Sequence, residues 1–393
     1  MQDIVLKKGK EFPLKRFHPW VFSGAIKTQT KAIEEGEKVR ILDSKGNFLG
    51  IAHYQDGSIA LRVISWTERA IDKSFWVEKF SAARAVRKTF FIPEEGKTNC
   101  YRLIHAEGDA LPGLIIDIYN KTAVVQAHSI GMHKDLNNIS LALQEVFGEE
   151  LNCIYSKSEA TLPERYAVGV ADEHLLGDPS SDIVLENGFK FKVNWQTGQK
   201  TGFFLDQRIN RALLGEYCKG KSVLNTFAYS GGFSIYALGS GATEVVSVDI
   251  SKTAVDLIDE NVAIGFPEDT RHRSLKADVM QYLREEENNF DIVVVDPPAF
   301  AKNVRKRHNA VMGYKRLNEM AIKRVKKGGL LFTYSCSQVV DDALFYDTIV
   351  AAAIEAGRPA RVLHKLSQGP DHPVSIYHKE GHYLKGLVLR LDD

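Results

Sequence analysis

Two short stretches of the chain have the residue types for carbon methylation chemistry, LLFTYSCSQ around Cys336 and FDIVVVDPPAF around Asp296. Each closes an apolar, strand-like run with polar groups. A thiolate that adds to C6 of a pyrimidine breaks the aromaticity of the ring and makes C5 an enamine-like carbon able to attack a sulfonium methyl. Without that covalent activation C5 is a poor nucleophile at neutral pH. Pro297 and Pro298 fix φ and cannot continue a sheet ladder, so Asp296 is held rigidly at the carboxyl end of its strand. There it is placed to hydrogen-bond the N3/N4 edge of a cytosine and to favour the charge that develops on attack. A cysteine in an apolar strand is more often a small buried hydrophobe. The polar setting Ser335–Cys336–Ser337 beside Asp-Pro-Pro points instead to a nucleophile. The same reasoning leaves Cys100, Cys153 and Cys218 as inert thiols.

A cofactor that delivers such a methyl needs its own cradle, and NTFAYSGGFSIYALGSGATEVVSVDIS (225–251) reads as one. Gly231 and Gly232 stand where a first parallel strand hands over to its helix, the place at which doubly wound sheets bind ligands. With no Cβ they let the backbone approach a ligand, and the helix from Phe233 offers unpaired N–H groups. Asp249 ends the next strand 18 residues after Gly231, close to the spacing of an acid that accepts ribose hydroxyls. The glycines do not spell GxGxxG, which disfavours a dinucleotide. Together these features favour S-adenosylmethionine. Asp278, closing a third strand, is a candidate for the adenine amino group and equally a helix N-cap.

These residues require a sheet to hold them. From residue 221 onward strands alternate with helices: SVLNTF, EVVSVD, HRSLKAD, FDIVVVD and LLFTYS, each followed by a helical stretch. The pattern predicts an α/β, Rossmann-like domain with a mostly parallel sheet covered on both faces. ARVLHKL and YLKGLVLRL add a hairpin pair at its edge. Before it come β runs at IVLENGFKFKVNW and TGFF and a helix at 206–217. Residues 1–70 read as a small all-β barrel of short, glycine-punctuated strands. Residues 71–90 form an amphipathic helix with Phe75, Val77, Phe80, Ala83, Val86 and Phe90 on its apolar face, and the rest of 71–185 reads as an α+β unit. The domain division expected is therefore 1–70, 71–185 and 186–393.

With 393 residues the chain is long enough for two or three domains. Its 51 Lys+Arg against 50 Asp+Glu leave a net charge of +1, so any basic surface is local. Lys302, Arg305, Lys306 and Arg307 form such a cluster just after Asp-Pro-Pro, in what reads as a mobile loop suited to RNA phosphates. No secretory leader or membrane span is legible, and four scattered cysteines without a CxxC pair argue against zinc and disulfides. A cytoplasmic protein without a metal is expected.

Beyond these readings, the chain resembles a known family. FHPWVFSGAI (17–26) resembles the opening of a PUA-type RNA-binding domain. HAEGDALPGLIIDIY, KTGFFLDQRINR, LNTFAYSGGFSIYAL, VDIS, DPPAF and TYSCS, in that order along essentially the whole chain, resemble the bacterial RlmI-type ribosomal RNA large subunit cytosine-5 methyltransferases. The resemblance implies a PUA domain, a central α+β domain and a class I methyltransferase domain. It implies S-adenosylmethionine as donor and a cytosine of 23S ribosomal RNA, or of its large-subunit precursor, as acceptor. It places Phe227, Gly231 and Gly232 at the methionine end of the cofactor, Asp249 at the ribose, Asp278 at the adenine and Asp296 on the cleft floor. Asn225 joins the cofactor set, and Phe204, Asp206, Gln207 and Arg208 form a lip over it. Cys336 is the implied nucleophile. One departure stands out: many cytosine-5 enzymes carry a second cysteine directly after Asp-x-Pro, and here Ala299 follows Pro298. The base that removes the C5 proton is not legible, nor is the oligomeric state, a homodimer included.

Two other readings remain open at this point. A methyltransferase acting on an exocyclic amino group would also use Asp-Pro-Pro-aromatic, with Cys336 structural. A non-catalytic RNA-binding or ribosome-assembly protein would keep the fold and lose the reaction.

Overall fold

The computed structural model describes all residues except 28–31, 91–95, 180, 302 and 393. The chain forms two compact units that do not follow its linear order. Residues 1–184, 193–205 and 370–381 make the first, and 185–192, 206–369 and 382–393 the second.

The first unit opens with β1 (Gln2–Val5), α1 (Phe12–Lys15), β2 (Trp20–Phe22), β3 (Lys38–Leu42), β4 (Phe48–Tyr54) and β5 (Ile59–Ser65). They pair in the order β1-β3-β4-β5-β2. A bridge between Leu6, just after β1, and Ile26, beyond the turn that follows β2, brings the two sheet edges together, closing the expected barrel around Ile4, Leu6, Val39, Ile41 and Leu61. Closure removes the exposed strand edges that a small sheet would otherwise present.

α2 (Lys73–Phe90) follows. Its buried stripe differs from the predicted one: Trp76 and Arg87 are buried beside Phe75, Phe80 and Ala83, whereas Val86 is exposed. Positions 76, 80, 83 and 87 follow the helical repeat as well as the predicted set does. Arg87 can lie there because Asp109 takes both of its terminal nitrogens at 2.6 and 2.7 Å. The rest of the unit comprises β6 (Cys100–His105), β7 (Leu114–Tyr119), β8 (Thr122–Ala127), α3 (Ile130–Lys134), α4 (Leu136–Phe147), β9 (Cys153–Ser156), α5 (Glu164–Ala167) and β10 (Glu173–Leu176). The sheet order is β10-β9-β8-β7-β6. The stretch 370–381 is tied in by Asp371, whose carboxylate accepts the Arg102 N–H at 3.2 Å and whose carbonyl accepts Arg87.

β11 (Ile183–Glu186) and β12 (Phe189–Lys192) form a two-stranded ribbon. Its turn is Asn187–Gly188, both at positive φ, as a two-residue hairpin requires. The expected strand at TGFF is absent. Residues 201–203 make a turn, because Gly202 sits at φ 109° where a Cβ would lie 2.6 Å from the Asn194 carbonyl oxygen.

The second unit runs α6 (Arg208–Tyr217), β13 (Ser222–Thr226), α7 (Gly232–Gly239), β14 (Glu244–Asp249), α8 (Lys252–Gly265), β15 (His272–Lys276), α9 (Val279–Glu285), β16 (Phe290–Val295), α10 (Arg307–Lys323), β17 (Val325–Ser335), α11 (Asp342–Ala356), β18 (Ala360–Ser367) and β19 (Lys385–Leu391). Its seven-stranded sheet has the order β15-β14-β13-β16-β17-β19-β18. β13 to β17 are parallel, and β19 runs antiparallel between β17 and β18. The last two strands pair as predicted, yet the later one takes the inner place and residues 368–384 make a long excursion between them. Order reverses at β13, whose neighbours are β14 and β16, which is where an open α/β sheet binds its ligand.

Candidate active site

The loop after β13 carries the first part of the site. Phe227, Tyr229 and Gly231 have φ of 53°, 48° and 74°. Left-handed backbone at non-glycine residues is costly and persists where surroundings enforce it, often at ligand clamps. Asp249, at the tip of the neighbouring β14, is one enforcer: its carboxylate accepts the Tyr229 N–H at 3.0 Å and the Ser251 N–H at 2.9 Å. Four lone-pair positions on a carboxylate leave room for further donors. A Cβ on Gly231 would meet Ile258 at 3.1 Å, and one on Gly232 would meet Arg211 Cδ at 3.0 Å. Arg211 is itself buried and held by Glu186 through Nε–Oε1 at 2.8 Å and Nη2–Oε2 at 2.7 Å. Tyr236 donates to the same carboxylate at 3.0 Å. No motif flagged this buried pair; its signal would have been a charged residue on the inward face of a helix.

Asn225 and Asp278 are placed differently from the residues around them. Asn225 is buried and donates its amide to Ser234 at 2.9 Å, beneath the loop. Asp278 is exposed and caps α9 by accepting the Gln281 N–H at 2.9 Å, the N-cap role foreseen for it.

The second part lies at the ends of β16 and β17. Gln207 donates its side-chain amide to Asp296 at 3.0 Å and is steered by Asn210, which donates to Gln207 Oε1 at 2.6 Å. Asp206 accepts the Tyr383 hydroxyl at 2.7 Å, while its other carboxylate oxygen is buried without a hydrogen-bond partner among the described residues. Burial, followed by repulsion from Asp206, pushes the Asp296 carboxyl up to about 7. A buried acid shifted that far by its surroundings is a candidate functional residue. Arg208, the first residue of α6, is buried. Phe204 belongs to the first unit and is partly exposed.

Cys336 follows the last residue of β17 and is partly exposed, whereas Cys100, Cys153 and Cys218 are buried. Ser337 donates to the Ala301 carbonyl at 2.8 Å, which ties the cysteine turn to the loop after Asp296. Phe300 in that loop packs on Tyr314 with ring centroids 4.6 Å apart. Burial, then the charges of Asp296 and Asp206, push the Cys336 thiol up to about 11, and Lys385 acts the other way.

Around this arrangement the chain offers what a methionine-bearing nucleoside needs: a backbone cradle without Cβ atoms, an acid at the tip of β14, and buried polar atoms awaiting a partner. Among the described residues, Asp206 Oδ1 and the Tyr334 hydroxyl are two such atoms. The family model for S-adenosylmethionine-dependent methyltransferases matches residues 102–382, and that for PUA-like domains matches 4–66. Proteins named ribosomal RNA large subunit methyltransferase I are similar over the full length. The one from Alteromonas mediterranea is 38% identical, covering 100% of this chain and 99% of its own. That from Shewanella amazonensis is 39% identical over 99% of each.

The chain belongs to the ribosomal RNA large subunit methyltransferase I family.

Its fold is shared with a Streptococcus mutans chain described as a SAM-dependent methyltransferase, at a TM-score of 0.83 and 23% identity over 99% of this chain and 100% of that one. A second structure, titled as a methyltransferase complexed with SAH, has a TM-score of 0.84 at 23% identity over 99% of this chain and 100% of that one. The member described here is thus a class I methyltransferase with a PUA-like domain and S-adenosylmethionine as cofactor. Among the described residues no helix is long and apolar enough to cross a membrane.

The basic cluster is built differently from the predicted mobile loop. Arg305 and Lys306 lie in a single 3-10 turn capped by Asn303, and Arg307 opens α10; all three are exposed. Lys302 lies outside the described residues. The helical stretch after Asp-Pro-Pro begins at Arg307, directly after a turn that the Asn303 side chain caps by accepting the Lys306 N–H.

Proposed function

We propose that the chain methylates C5 of a cytosine in 23S ribosomal RNA, with Cys336 as nucleophile and Asp296 as the acid that holds the base edge. The observation that carries this reading is Cys336 itself. It is the partly open cysteine of the four, on a turn bonded to the Asp-Pro-Pro loop and within the electrostatic reach of Asp296. The relatives' name supplies the substrate class, large-subunit ribosomal RNA.

In this reading the Cys336 thiolate forms a bond to C6 and the C5–C6 π pair moves onto C5. Asp296, near its midpoint at neutral pH, faces the N3/N4 edge and either donates or accepts as the ring charge changes. S-adenosylmethionine, when bound, supplies the methyl that C5 accepts, and S-adenosylhomocysteine leaves. Loss of the C5 proton then re-forms the double bond and returns the electron pair of the C6–S bond to Cys336. Phe227, Gly231, Gly232 and Asp249 would hold the cofactor, with Phe204, Asp206, Gln207 and Arg208 as its lip. Asn225 would support the loop from below, and Asp278 would reach the adenine end. Arg305, Lys306 and Arg307, with Lys302, would meet phosphates. The division of labour would follow 1–70 for RNA, 71–185 as a central domain and 186–393 for catalysis.

RNA carrying 5-fluorocytidine tests the assignment, since fluorine at C5 cannot leave as a proton does. A covalent protein–RNA adduct that disappears in Cys336→Ala is expected, together with loss of 5-methylcytidine from 23S ribosomal RNA in cells lacking the gene. Turnover that survives Cys336→Ala would instead assign the chemistry to a base amino group.

A further inference from the structure

Lys385 is the first residue of β19, paired in register with Ser335 of β17. Its side chain is 3% exposed. The ammonium donates to the carbonyls of Ser337 and Tyr383, both at 2.7 Å. Among the described residues no carboxylate lies within ion-pair distance of it. A buried ammonium with two neutral acceptors and no counter-ion is unfavourable, and buried charges ordinarily come paired. Two carbonyls would bind a neutral donor as well, so the charge is not explained by holding the turn.

The missing counter-ion has a candidate one residue away from the carbonyl that Lys385 grips. Cys336 sits between Ser335, the register partner of Lys385, and Ser337, its acceptor. We propose that Lys385 is a positioning residue of the methyl-transfer site: it fixes the 335–337 turn and supplies the positive charge against which the Cys336 sulfur ionises. This rests on the reading of Cys336 as nucleophile given above.

The charges facing the pair are few enough to name. Asp206 before α6 and Asp296 after β16 oppose ionisation of Cys336, and the Tyr314 hydroxyl on α10 interacts with the thiol. Burial pulls the Lys385 ammonium below its ordinary range, Asp342 and Asp341 at the start of α11 act in the direction that keeps it protonated, and His382 is bonded to Asp342 at 3.2 Å. Two carboxylates thus act against the thiolate, and the nearby ammonium acts for it. The resting thiol stays protonated, which protects it from oxidation. On ionisation the S–H proton passes to solvent and the sulfur becomes the counter-ion that Lys385 lacks. A lowered thiol barrier of this kind is the usual service of a neighbouring cation to a reactive cysteine.

The experiment is the pH dependence of Cys336 alkylation by iodoacetamide in the full chain, with Cys336→Ser defining the background. Lys385→Met keeps the stem and removes the charge; Lys385→Gln also keeps a donor for the carbonyls. Both are expected to alkylate about tenfold more slowly at pH 8. Lys385→Arg should stay within about threefold of the parent chain. Alkylation of either neutral variant within twofold of the parent overturns the proposal. So does failure of both neutral variants to fold or to bind S-adenosylmethionine, because the lysine would then serve the turn alone. The alkylation needs no RNA, so a slowed rate without a 5-fluorocytidine adduct in the parent chain would refute the nucleophile reading while leaving the Lys385–Cys336 coupling in place.

Discussion

The side-chain amide of Gln207 donates to the carboxylate of Asp296 at 3.0 Å, joining the segment before α6 to the end of β16. That hydrogen bond favours the ionised acid, against burial and Asp206, which favour the neutral one. Gln207→Leu removes the donor and should move the Asp296 carboxyl above its present value of about 7. The acid limb of the kcat/KM profile is then expected to shift upward by about 0.5–1 pH unit. An unchanged profile in steady-state methyl transfer would show that Asp296 ionisation does not govern the rate.

The same carboxyl makes stability depend on pH. Its folded value of about 7 lies above the ordinary carboxylate range, so the native state holds a proton the unfolded chain has already lost. Stability from this group is therefore intact below about pH 4 and falls as pH rises through about 7. Asp296→Asn cannot ionise. It should melt with the parent chain at pH 4 and about 3–6 °C above it at pH 8, read by calorimetry.

Gly231 has φ 74° and would bring a Cβ to within 3.1 Å of Ile258. Gly231→Ala should cost about 1–2 kcal/mol in local backbone strain. Titration calorimetry is expected to show S-adenosylmethionine binding weakened about tenfold. Equal affinity would mean that the loop relaxes without disturbing the cradle.

Arg211 and Glu186 form a buried, bidentate pair below the N-terminus of α7. Removing one partner strands the other, so Glu186→Gln or Arg211→Met should destabilise the chain by about 3–5 kcal/mol. The double variant should recover part of that loss. Denaturant melts of the three chains decide it, and additive losses would argue against a coupled pair.

Arg305, Lys306 and Arg307 are exposed at the start of α10. Changing all three to Ala should weaken RNA binding and flatten its salt dependence by about two to three counter-ions, without altering S-adenosylmethionine affinity. An unchanged salt slope in filter-binding titrations would move the phosphate contacts elsewhere.

Much of the site could be read from one-dimensional pattern. Cys336, Asp296 and Asp249 each end an apolar run, and a strand buried on both faces announces itself by that run. The Gly231–Gly232 pair marked the strand-to-helix turn for the same local reason. Harder to see were residues whose importance comes from a distant partner. Nothing local marks Arg87 for burial, which depends on Asp109 at 2.6 Å. Val86 seemed apolar and inward by spacing alone. TGFF had strand-forming residues, and one glycine at φ 109° turned it. Lys385 lies in a segment expected at the sheet edge, and the inner place of β19 is set by pairing across fifty residues of chain or more.

Taken by itself, the amino-acid sequence determined the alternation of strands and helices, the closing positions of the chemical residues and the kind of cofactor they suit, because all of these depend on neighbours a few residues apart. Tertiary structure alone decided which of those residues meet. The reason is physical: burial and opposing charge set the state of an acid, a thiol or an ammonium, and both come from segments that only the folded chain brings together. Asp296 owes its raised carboxyl to enclosure and to Asp206, and Cys336 its balance of charges to Asp296, Asp206 and Lys385.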